Sequence, residues 1–102
     1  MSITVVVQMT VKPGMEEAHE ARLKVALPET RNAEGCLELI AHRDLDQPNR
    51  FMVVERWTTR EAYQAYVDWR TEIGSLKAMA ERLAAPLEFR FLEVVATTAA
   101  AS

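Results

Sequence analysis

The sequence predicts an α+β domain of ferredoxin-like architecture, with element order βαββααβ and helices covering one face of a four-stranded antiparallel sheet. Three observations lead there. Runs rich in β-branched and aromatic residues recur at four places, stretches of strong helix formers separate them, and Gly and Pro punctuate the joins. With 102 residues, 49% hydrophobic and 26% charged, the chain has the material of one compact domain and no room for a second. We assign residues 1–96 to that domain and residues 97–102 to a flexible tail.

ITVVVQMTV at residues 3–11 is the first strand, ended by Pro13-Gly14. Its odd-numbered residues form one apolar face, and the other face is mixed (Thr4, Val6, Gln8, Thr10), as if a second layer covers it too. From Met15 to Leu27 the chain turns to Glu, Ala, Leu and Lys, with Glu16 and Glu17 at the positive end of the helix dipole. Met15, Ala18, Ala21 and Val25, with Leu23 and Leu27 further round, form a broad apolar arc, and Pro28 is expected to kink or restart the helix. CLELIAHR (36–43) and RFMVVERW (50–57) read as a hairpin. Thr58 and Glu61 have the spacing of a capping box. Ala62, Tyr66, Trp69 and Ile73 follow as the apolar stripe of a helix, Gly74-Ser75 interrupts, and Leu76, Met79, Ala80 and Leu83 form a second piece. LEFRFLEVV (87–95) is the last strand.

Charge and cysteine usage exclude several functions. Twelve basic against 15 acidic residues give a net charge of −3, without the basic field of a nucleic-acid binder. One cysteine allows no internal disulfide, and Cys36, His19 and His42 are too few for a closed metal site. A reducing, cytoplasmic location is expected. No apolar run reaches membrane-spanning length, and no secretory leader pattern opens the sequence. Apolar residues on both faces of the sheet predict that a second copy of the chain covers the face the helices leave open.

Few residues are suited to chemistry. His42 ends the second strand, and an imidazole beside an apolar cleft is a side chain that can take a proton from a weak acid; a surface histidine is the competing reading. Trp57, Tyr63, Tyr66 and Trp69 gather in thirteen residues and combine flat apolar faces with N–H or O–H groups, which suits a planar ligand. Tyr66 and Trp69 also fit a core stripe. Arg70, Arg82 and Arg90 are candidate anchors for an enolate or phenolate oxygen, against the usual role of a solvated arginine. Glu55 and Glu93 read as ion-pair partners of Arg56 and Arg90 across the sheet. Cys36 reads as a small packed residue, and His19 as a solvated one. No nucleotide-binding, zinc-protease or nucleophile-elbow motif is present.

Val11-x-Pro13-Gly14, Arg31-x-x-x-Gly35-Cys36-Leu37 and Pro48-x-x-Phe51-x-x-x-Glu55-x-Trp57-x-x-x-Glu61-Ala62-Tyr63 together closely resemble the antibiotic biosynthesis monooxygenase family. That resemblance spans residues 3–95 and implies a dimeric α/β barrel of ferredoxin-like protomers, each with a pocket between helices and sheet. It also implies oxidation of anthrones or hydroquinones by O₂ without metal or flavin. In the anthrone-oxidising branch the residues matching His42, Trp57 and Tyr63 line the pocket, which implies a catalytic role for these three, with Tyr66, Trp69, Arg70 and Arg82 expected to bind substrate and no metal. Four residues before Trp57, where that branch has asparagine, stands Val53, which points away from anthrones specifically. The alternatives are a non-catalytic dimeric module for small ligands and a haem-binding or haem-degrading relative. The haem-degrading branch uses a first-strand asparagine and a helical histidine, but residues 3–11 here hold no asparagine and residues 70–85 no histidine.

Overall fold

A computed structural model describes residues 2–98 of the chain. The elements are β1 (Ile3–Thr10), α1 (Glu16–Arg31), β2 (Cys36–Arg43), β3 (Arg50–Trp57), α2 (Arg60–Glu72), α3 (Ser75–Ala80) and β4 (Glu88–Leu92). The sheet order is β2-β3-β1-β4 with every neighbouring pair antiparallel, the ferredoxin-like topology expected.

Register decides which side chains meet the helices. Val5, Val7 and Met9 of β1 stand beside Glu55, Val53 and Phe51 of β3 on the covered face, and all six are buried. On the opposite face Val6 pairs with Val54 and with Arg90, and Ile40 of β2 also lies opposite Val54. That face has no covering layer within the protomer, and Ile40 and Leu92 are 48% and 47% exposed on it.

Several boundaries depart from the sequence reading for identifiable reasons. α1 continues through Pro28 to Arg31 instead of breaking, and packing of its last turn holds it there: Thr30 is buried and its hydroxyl donates to the Ala26 carbonyl at 3.1 Å. Its inward face is Met15, His19, Leu23, Ala26 and Thr30, while Ala18, Ala21 and Val25 are exposed. Alanine costs little on either side of a helix, so it marks a face weakly. The cap of α2 is Thr59, whose side chain accepts from the Ala62 N–H at 3.0 Å; the Thr58 N–H is already used on the Gly35 carbonyl at 2.8 Å. α2 therefore turns Tyr63 and Arg70 inward and leaves Trp69 and Ile73 49% and 53% exposed. Leu83 lies beyond α3 and bridges Val11. β4 ends at Leu92, opposite Thr4 near the start of β1, where its partner strand runs out. The tail expected at 97–102 falls in part, at 99–102, outside the described residues.

Gly35 sits between α1 and β2 at φ +87°, where a Cβ would lie 2.6 Å from that of Ala62 and 2.8 Å from the Thr58 hydroxyl. Only glycine fits both that conformation and that approach. The close packing sets the start of α2 against Trp57, which is fully buried.

Candidate functional site

Between the covered sheet face and the helices lies a cavity of about 390 Å³, large enough for a ring system of a few fused rings. Its middle is apolar, formed by Val7, Leu23, Ala26, Leu39, Val53 and Met79 among others. Polar groups collect at its two ends.

One end is built around Glu55, Trp57, Tyr66 and Arg70. Glu55 faces the helices because β3 alternates, so it does not form the cross-sheet ion pair with Arg56 that the sequence suggested; Arg56 points to the open face, 3.9 Å from Glu38. The Trp57 indole N–H donates to Glu55 Oε1 at 2.8 Å. Burial pushes the Glu55 carboxyl up to about 7, against the opposing pull of that hydrogen bond and of the Arg70 charge. A carboxyl poised at neutral pH inside a cavity has the protonation range a general base needs.

Arg70 is buried and held by three hydroxyls. Its Nε donates to Tyr66 at 2.6 Å, Nη1 to Ser75 at 3.0 Å and Nη2 to Thr30 at 3.0 Å. Because Thr30 donates its hydroxyl proton to the Ala26 carbonyl, Tyr66 is the donor in its 2.7 Å contact with Thr30 Oγ1. The hydroxyl chain is closed, yet the guanidinium has used three of its N–H groups and a guanidinium carries about five. No carboxylate of the described residues lies within 4.0 Å of it. Tyr63 also lines the cavity, and burial together with the Glu55 and Tyr66 groups pushes its phenol far up, so it is a neutral O–H donor at any working pH.

The other end holds Arg82 and Arg22. Arg82 Nε donates to His19 Nδ1 at 3.3 Å, which places the imidazole proton on Nε2, a buried atom without a partner. His19 is fully buried against the Phe51 ring, with centroids 4.9 Å apart, contrary to its reading as a solvated residue. Its place four residues after Met15 and four before Leu23 was the available signal. Burial first, then the Arg82 charge, lowers its pKa to about 4, so it is neutral at pH 7.

The candidate residues thus divide. Tyr63, Tyr66, Arg70 and Arg82 line the cavity; Trp57 lies behind it and reaches it through Glu55. Trp69 is outside, its ring tilted 41° to that of Tyr66 at 6.3 Å between centroids and half exposed. His42 does not bound the cavity: β2 register puts it on the open face opposite Met52, where Nδ1 donates to the Met52 carbonyl at 3.3 Å. A bulge between Cys36 and Glu38 shifts the alternation along β2. Cys36 is buried beside Trp57 in the register, and burial pushes its thiol up, as suits a packed residue. Among the described residues no three His, Cys, Asp or Glu side chains come together in a metal-binding group, and no helix is long and apolar enough to cross a membrane.

Residues 2–71 match the antibiotic biosynthesis monooxygenase family. In structure the chain resembles a candidate antibiotic biosynthesis monooxygenase from Bordetella bronchiseptica, at 25% identity and TM-score 0.73, over 93% of this chain and 98% of that one. A conserved protein from Methanosarcina mazei is similar at 25% identity and TM-score 0.76, covering 89% and 90% of the two chains. A protein from Pseudomonas aeruginosa at 22% identity shares the fold, with TM-score 0.80 over 93% and 95%. No curated protein matches the chain in sequence. With a family match over more than half its length, the chain belongs to the antibiotic biosynthesis monooxygenase family.

Proposed function

We propose that the cavity oxidises a quinol, anthrone-like or similar polyphenolic ring with O₂, and that Glu55 is the base. The observation that carries this reading is the pairing of a buried carboxyl near neutrality with a buried, carboxylate-free guanidinium in one ring-sized cavity. Glu55 takes the proton of a ring hydroxyl or activated ring CH₂. Arg70 and the Tyr63 phenol stabilise the anion, a role electrostatics performs best away from water. The electron-rich anion reduces O₂ and forms a C–O bond; loss of water then leaves a carbonyl. Overall a ring CH₂ and O₂ become C=O and H₂O; in a phenolic ring the O–H and a free ring C–H give up their hydrogens to H₂O and become two quinone C=O groups, and the substrate supplies all four electrons in either case. Following the family resemblance, no metal or flavin is assigned to the reaction.

This assignment moves the base from His42 to Glu55, because His42 stands across the sheet. Incubating the protein with anthrones and naphthohydroquinones while following O₂ uptake and quinone absorbance tests it. Accelerated, equimolar O₂ consumption is expected, with E55Q falling toward the buffer rate. No acceleration in any arm, with ligand nevertheless bound, would assign the cavity to a binding module instead.

The open sheet face supports a homodimer as the working form. Val6, Ile40, Val54 and Leu92 stand together there without a covering layer in the protomer, an arrangement two sheets packed face to face resolve. Sedimentation at micromolar concentration is expected to give twice 11.5 kDa; a stable monomer overturns the dimer.

A further inference from the structure

The second cavity end has no part in the proton chemistry, yet it concentrates positive charge. Arg22 and Arg82 both line the cavity, and they lie near enough for the Arg22 charge to act on Arg82. Neither has a carboxylate within 4.0 Å among the described residues. Arg82 is aimed by a fully buried residue: His19 engages its Nε, so the Nη1 and Nη2 groups are left for something else. Two like charges at one site cost free energy unless an anion joins them.

The geometry also fixes a spacing. Arg22 and Thr30 both line the cavity from α1, and Thr30 holds Arg70. Eight helical residues separate them, about 12 Å along the axis. β3 repeats the layout, with Phe51 beside His19 at one end and Glu55 at the other. The lining between is apolar. Glu29 is the other carboxylate of the lining, and it is exposed, next to Thr30 rather than to Arg22.

We propose that the substrate is an elongated aromatic acid, its acidic ring hydroxyl or CH₂ at the Glu55–Arg70 end and a carboxylate on its tail held by Arg22 and Arg82. It rests on the reading of this cavity as the substrate site and adds the class of molecule that fills it. His19 is then a positioning residue for Arg82, and the tail carboxylate fixes which way round the ring enters.

Anaerobic calorimetry tests it with the native chain and three probes: a hydroxynaphthalene carrying a pentanoate on the far ring, its methyl ester, and the same chain ending in a phosphate monoester. The acid is expected to bind at least about tenfold tighter than the ester, the scale of one charge-assisted contact. R22Q and R82Q should each remove about that factor for the acid and leave the ester unchanged. Arg22 is exposed, so R22Q reports on binding without disturbing the core. Equal affinity of acid and ester, equal losses for both in the variants, or no binding of the acid at millimolar concentration overturns the proposal. Tighter binding of the phosphate than of the acid overturns the carboxylate. Acid preference without any oxidation in air refutes the oxygenase reading alone; oxidation of tail-less quinols without acid preference refutes this one alone.

Discussion

The two ends of the cavity each bury one titratable group beside one arginine, and they tune it in opposite directions. At one end Glu55 is raised to about 7; at the other His19 is lowered to about 4. Desolvation leads in both, and it favours the neutral form whichever sign the charged form carries. The difference lies in the arginine. Near Glu55 the Arg70 charge opposes desolvation and holds the carboxyl within reach of ionisation. Near His19 the Arg82 charge adds to desolvation, so the imidazole stays neutral and serves only as an acceptor. One arrangement makes a group that changes protonation at working pH, and the other makes a fixed support.

The largest consequence concerns turnover. E55Q removes the proton acceptor while keeping size and the hydrogen bond from Trp57, and a loss of roughly 10²–10⁴-fold in rate is the scale of general-base catalysis. In the parent chain kcat/KM should rise with pH through about 7, as Glu55 ionises. R82Q should instead raise KM for a tailed acid and leave kcat and the pH midpoint in place. Steady-state rates of the three chains from pH 5 to 9 separate the ends, and a large kcat loss in R82Q would erase the distinction.

Stability gives the next largest effect, and the two groups oppose each other. Glu55 has a folded pKa above its ordinary 4.5, so its contribution is full in acid and is lost as pH rises from about 4.5 to about 7. His19 has a folded pKa below its ordinary 6.5, so its contribution is small in acid and is gained as pH rises from about 4 to 6.5. Each amounts to about 3 kcal/mol, and in the parent chain they nearly cancel. E55Q should therefore gain stability relative to the parent as pH rises across that window, and H19Q should lose it. Urea unfolding at half-unit pH intervals measures both; difference profiles that stay flat would mean that neither group is shifted.

The fold was legible because each of its elements announces itself by local chemistry: the β-branched run at 3–11, the punctuation at Pro13-Gly14 and Gly35, the hairpin of 36–57. The site was legible only in part. Tyr63, Tyr66, Arg70 and Arg82 were identified as candidates and line the cavity, because aromatics and arginines near a predicted helix face are few. Glu55 was paired with the wrong partner and His42 set on the wrong side for one reason: both depend on strand phase. A one-residue change in phase exchanges the faces of a strand, and the β2 bulge at Cys36/Glu38 leaves no mark in composition. His19 was misread because a polar residue on a helix passes for solvated unless a long-range partner is known, and Arg82 is 63 positions away.

The smallest predicted effect tests the Glu55 end from behind. The Trp57 N–H favours the ionised carboxylate and draws the Glu55 pKa down. W57F keeps an aromatic ring and removes the donor. A hydrogen bond to a charged group contributes about 1.5–3 kcal/mol, so the midpoint of the pH–rate profile should move up by about one to two pH units. The smaller ring also lowers overall stability, but a packing defect shifts unfolding without a directed change in the pH midpoint. R82Q, at the opposite end, is the control whose midpoint should not move. A W57F midpoint that stays at 7 or falls would mean that Glu55 owes its ionisation to Arg70 alone, and the difference between the ends would then reduce to the position of one guanidinium.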